Sequence, residues 1–155
     1  MTTRTVRRTA PRVAKEARHH AREAAVQMLY QWEVGRASVH EVRQTFWLHE
    51  DPVLDALPEE HRRFAEALAG GVVDEVGRID PVIAEAAENW RLERMNVMDR
   101  LILRLAVYEF LHEAGTPAKV VINEALELAR TFSNDDAVRF VNGVLDAIRK
   151  RLERE

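Results

Sequence analysis

The chain has 155 residues, a length that fits one domain or two small lobes around a shared core. It contains no cysteine, which excludes disulfides, thiolate zinc sites and cysteine nucleophiles and suits a reducing compartment. The net charge of −3 hides an asymmetry: residues 1–22 hold seven Lys/Arg against one acid, a balance of +6, and the remainder carries −9. A basic segment on an acidic body points to a polyanion partner at one end.

Residues 1–13 are rich in Thr and Arg with few large apolar side chains, and read as a basic flexible arm. A first helix is expected over about 14–34, stopping near Gly35. Ser38 reads as the N-cap of a second, about 39–49, with Glu41 completing a capping box. Asp51-Pro52 opens a connector. Pro58-Glu59-Glu60 starts a third helix to about 77, with Gly70-Gly71 inside it as either a close helix contact or a bend. Asp80-Pro81 reads as a cap and a first-turn proline, so a fourth helix is expected over 81–90. Asn96 caps a fifth, about 97–113. Its apolar face (Met98, Leu101, Ile102, Leu105, Tyr108, Leu111) is broad enough to make it central. Gly115-Thr116-Pro117 leads into a sixth, about 118–132. Ser133 caps a seventh, with Val138, Val141, Leu145, Ile148 and Leu152 as its stripe. No segment alternates with period two, so the class is all-α, about seven helices in two small packed bundles, 14–78 and 79–155.

Two aromatic residues fall off their helix stripes. A helix turns about 100° per residue, which puts Ala21, Ala24, Ala25, Met28, Leu29 and Trp32 within roughly 80° of one direction. Tyr30 then lies roughly 170° from the stripe centre, with Arg18 and Arg22 at the flanks. In RFVNGVLD, residues 139–146, Phe140 lies roughly 100° and Arg139 roughly 160° from the stripe. Aromatic rings beside basic residues suit single-stranded nucleic acid, where bases stack and cations track phosphates.

Signals for catalysis are weak. His19 and His20 are adjacent, so they point apart on a helix and do not chelate together. Glu124 and Glu127 read as a solvated face, and Asp135 and Asp136 as helix-start acids. No nucleophile, base and oxyanion site assembles, and no metal, cofactor or enzymatic activity is expected. No apolar run approaches a membrane span and no secretory signal is visible, so the expected location is the cytoplasm.

Three stretches resemble the NusB family of transcription antitermination factors: AREAAVQMLYQW (21–32), DRLILRLAVYEF (99–110) and VINEALELARTFSNDDAVRFVNGVLD (121–146). The resemblance covers about residues 18–148. It implies an RNA-binding, non-enzymatic protein that recognises the single-stranded boxA element of ribosomal RNA leaders. NusE, a small-subunit ribosomal protein, is the implied partner within the transcription elongation complex. It implies Tyr30, Phe140, Arg18, Arg22, Arg139 and Asp136 at the RNA surface, and Asp99 at the surface facing NusE. The chain departs from the family at His19-His20, two histidines with ordinarily near-neutral side chains where relatives often carry an unbroken basic run. The alternative reading is a helical protein-interaction adaptor, or a homodimer, without RNA specificity of its own.

Overall fold

The element with the weakest polar face sits at the centre. The computed structural model describes residues 2–48, 50–88 and 90–154, with side chains from Lys15 onward. In it, helix α5 (Val97–His112) buries Leu101, Ile102, Leu103, Leu105, Ala106 and Val107 alike. A helix apolar on every side needs neighbours on every side. Helices α1 (Thr2–Gly35), α4 (Glu59–Ala86), α6 (Ala118–Phe132) and α7 (Asp135–Arg151) all pack against it. The expected cap is in place, with Asn96 accepting from the Met98 N–H. All regular structure among the described residues is helical.

Arg104 and Glu109, two of the charged residues that α5 buries, are partnered, as burial of charge requires. Arg104 donates from Nε and Nη2 to the two oxygens of Asp80 on α4, both at 2.9 Å, and reaches Glu33 on α1. Arg100 donates to the same Glu33 at 2.9 Å. These ion pairs tie the end of α1 and the far half of α4 to the central helix.

Asp80 is therefore not a helix cap, and the two helices expected over 58–77 and 81–90 are one. Pro81 lies inside α4. A proline there removes the N–H that would bond the Gly77 carbonyl. Both Gly77 and Pro81 are exposed, so water can take over that carbonyl and the helix continues. The boundary expected at 78/79 falls inside this helix. Gly70 and Gly71 mark close approach rather than a break. A Cβ on Gly71 would sit 2.3 Å from the Tyr108 ring, and one on Gly70 would sit 2.6 Å from the Arg43 guanidinium.

The remaining differences are local. α1 begins at Thr2 rather than near residue 14. Apolar spacing marks where a helix meets the core and is silent about an Arg-rich segment beyond it. The side chains of the basic arm lie outside the described residues. Arg36, at φ 55°, is the left-handed residue that closes α1. Helix α2 (Val39–Thr45) starts on Ser38 as expected but gives way to a 3₁₀ turn at Phe46–Leu48. The connector holds a one-turn helix, α3 (Pro52–Asp55), where Asp51 accepts from the Val53 and Leu54 N–H groups. Helix α7 is capped by Asn134, which accepts from the Ala137 N–H, and not by Ser133.

Candidate nucleic-acid interface

Helix α7 carries its core stripe through Val141, Leu145 and Ile148, and this fixes what faces outward. Arg139 and Asp136 are exposed and ion-paired with each other one turn apart. Phe140 is half-buried at the rim. Its ring meets Trp90 edge to face, with centroids 5.7 Å apart and planes at 68°. Trp90 follows the end of α4 and is 56% exposed, a large aromatic surface left to solvent.

Phe140, Trp90, Asp136 and Asp99 line one cavity of about 300 Å³, with Arg94 and Asn96 completing its wall. The structure thus brings together three of the residues expected at binding surfaces (Asp99, Asp136 and Phe140) and sets Arg139 beside them. Asp99 is 9% exposed. Burial pushes its carboxyl above the usual range, against a hydrogen bond from Ser133 that favours the charged form. One oxygen, Oδ1, is buried with no partner among the described residues. Trp90 and Arg94 were not anticipated from sequence. The signal was present, since Trp90-Arg91 in a polar connector is the same aromatic-beside-basic pattern that singled out Tyr30.

Tyr30 stands apart. It is 43% exposed, as the helix arithmetic requires, and its ring and hydroxyl have no partner among the described residues. Arg18 lies about 18 Å away along α1. Arg18 is exposed, with its guanidinium 5.3 Å from the Phe64 ring centroid on α4.

Arg22 differs from its expected place at the surface. It is 2% exposed and turned inward. Its Nη2 donates to Glu109 at 2.8 Å, and its Nε lies 3.1 Å from both Glu109 oxygens. The stripe on α1 is wide enough to cover its flank once α5 and α6 close over it. A guanidinium so engaged does not reach a phosphate. It braces α1 against α5 behind the surface that Arg18 presents.

Glu124 is also buried rather than solvated. It accepts from His19 Nδ1 at 2.8 Å and lies 3.9 Å from Arg22. His19 Nε2 is 3.0 Å from Glu23, which also bonds His20. Hydrogen bonds to Glu124 and then Glu23 push the His19 imidazole up to about 10. At neutral pH His19 is a cation, which corrects the expectation of a neutral side chain. Burial pushes the Glu124 carboxyl up, but His19 and Arg22 hold it below its usual range. The charge that His19 gains is thus shared with two carboxylates. The neighbouring groove between α1 and α6, about 830 Å³, sets Lys15, His19 and Arg130 against Glu16, Glu124 and Glu127. Equal numbers of each sign make it a poor polyanion site.

Comparison with known proteins gives the family of the chain. The NusB family model matches residues 19–150. The chain is 43% identical to the transcription antitermination protein NusB of Solibacter usitatus, over 88% of this chain and 90% of that one. The fold is similar to that of T. maritima NusB, with a TM-score of 0.75 and 33% identity over 86% of this chain and 90% of that one. It also superposes on a chain from a crystal structure of antitermination factors NusB and NusE in complex with dsRNA. That match has a TM-score of 0.75 and 24% identity, covers 88% and 98% of the two chains, and speaks for the fold. The chain belongs to the NusB family.

Proposed function

We propose that the chain is a transcription antitermination factor that binds the boxA element of ribosomal RNA leader transcripts. It does so together with NusE and helps RNA polymerase resist termination. The observation that carries this reading is the α7 rim. A half-buried Phe140 is fixed by its neighbours beside exposed Arg139, and a second aromatic, Tyr30, is left in solvent on α1. A ring held in place, as Phe140 is by Trp90, loses little freedom when a base stacks on it, and a cation beside it answers the phosphate. Relatives named as antitermination proteins, and a fold relative solved with NusE and RNA, support the same assignment. Tyr30, Phe140, Arg18 and Arg139 contact RNA, with Asp136 restraining Arg139. Asp99 opens toward a partner through the α7 rim cavity. The chemistry is recognition alone.

Stacking is worth about 1–3 kcal/mol per base, so Phe140→Ala and Tyr30→Ala should each weaken binding of a boxA strand about tenfold or more. Fluorescence anisotropy on folded variants measures this. Unchanged dissociation constants in both would remove the assignment.

A further inference from the structure

The segment between α2 and α4 leaves apolar side chains in water among carboxylates. Leu48, which ends the 3₁₀ turn, is 78% exposed, and Val53 in α3 is 51% exposed. Each is the chain neighbour of a residue lining one small notch of about 60 Å³, whose walls include Phe46, Trp47, Asp51 and Asp55. Trp47 is held in place. Its indole N–H donates to Glu66 at 3.4 Å, and the Arg62 guanidinium lies 5.1 Å from its ring centroid. Charge around the notch is one-sided: residues 46–60 contain Glu50, Asp51, Asp55, Glu59 and Glu60 and no Lys or Arg. The carboxylates of Glu50 and Asp55 have no partner among the described residues. Asp51 uses Oδ1 for the Val53 and Leu54 N–H groups, which leaves Oδ2 open. The cation Arg62 bonds the Asp55 and Leu57 backbone carbonyls and none of these carboxylates.

We infer that this α2–α3 face docks a basic, apolar-bearing polypeptide segment of another protein. A Lys or Arg of that segment enters the notch between Trp47, Asp51 and Asp55, and its apolar side chains cover Leu48 and Val53. The walls dictate this chemistry. Leu48 and Val53 regain by burial what exposure to water loses. A cation between an aromatic ring and two carboxylates is attracted by both. The unpaired carboxylates repel a polyanion, so the occupant is polypeptide and not RNA. The notch admits the tip of a side chain and is too small for a base. An amphipathic helix with cations beside its apolar stripe presents both groups at once. None of the residues assigned to RNA, nor Asp99, belongs to this face, so the inference stands apart from the RNA reading.

The test uses the full chain and three labelled synthetic peptides: an amphipathic helix of Leu, Lys and Ala, the same helix with Glu for Lys, and the same helix with Ser for Leu. Fluorescence anisotropy should show the first bound about tenfold or more tighter than either control, and more weakly as salt rises. The double variant Leu48→Ser, Val53→Ser should weaken that peptide about tenfold, and Asp55→Asn about threefold. Both change exposed side chains, so melting temperatures should match the parent. Equal binding of the three peptides, or full retention of binding by the double variant, overturns the proposal. Displacement of the peptide by a boxA strand puts it on the RNA surface and also overturns it. If sedimentation shows a dimeric parent and a monomeric double variant, a second copy covers the face, which overturns it as well. Failure of boxA binding leaves the peptide result intact, because the two are measured separately.

Discussion

Replacing Arg22 by methionine separates a structural arginine from an RNA-contacting one. Arg22 and Glu109 are each 2% exposed. Every hydrogen bond to the Glu109 carboxylate among the described residues comes from Arg22. Arg22→Met therefore strands a buried carboxylate, a change that costs about 3–5 kcal/mol. For a chain of this size that lowers the melting temperature by about 10 °C. The double variant Arg22→Met, Glu109→Leu removes the stranded charge and fills similar volume, so it should return to within about 1 kcal/mol of the parent or exceed it. Urea titration of the parent, the single variants Arg22→Met and Glu109→Leu, and the double variant gives the coupling directly. The double variant should also bind boxA RNA like the parent, because Arg22 acts from behind the surface. A loss below about 1 kcal/mol in the single variant, or no recovery in the double, would refute the buried-pair account. A folded double variant with weakened RNA binding would return Arg22 to the interface.

Other consequences can be checked by melting and denaturant curves. Gly71→Ala should destabilise by about 1–3 kcal/mol, because the new methyl meets the rigid Tyr108 ring at 2.3 Å. Gly143→Ala should stabilise by about 0.5–1 kcal/mol, since nothing lies within 4 Å of its Cβ position on α7. Asn134→Ala should cost about 1 kcal/mol through loss of the α7 cap. The His19 imidazole, raised from 6.5 to about 10, gives stability that is complete below pH 6.5 and lost as pH rises through 10. His19→Gln should flatten that slope, and an unchanged slope would show that another group carries it.

Local chemistry was legible wherever its partners are close in sequence. The bounds of α6 follow from the Pro117 start and the apolar spacing of Val121, Ala125, Leu128 and Ala129. The caps at Ser38 and Asn96 hold for the same reason. The exposure of Tyr30 came from arithmetic on one helix. What failed depends on distant residues. Asp80-Pro81 carries the start signal of a helix, yet its carboxylate belongs to Arg104, and nothing at 80 or 81 says so. Arg22 is held by a residue 87 positions away, and His19 by one 105 positions away. Neither pairing leaves a periodic trace. Ser133 and Asn134 are equally good caps in sequence, and the structure uses Asn134. Half of the rim cavity was missed because Trp90 lies in a connector, where helix arithmetic does not apply.

The most direct test of the central claim is a titration of labelled boxA single strand with this protein, with and without NusE, at two salt concentrations, against a scrambled strand. Tighter binding to boxA, strengthened by NusE and weakened by salt in proportion to the phosphates engaged, is the predicted result. Equal, weak binding to both strands with NusE present would contradict it and leave a charged helical adaptor.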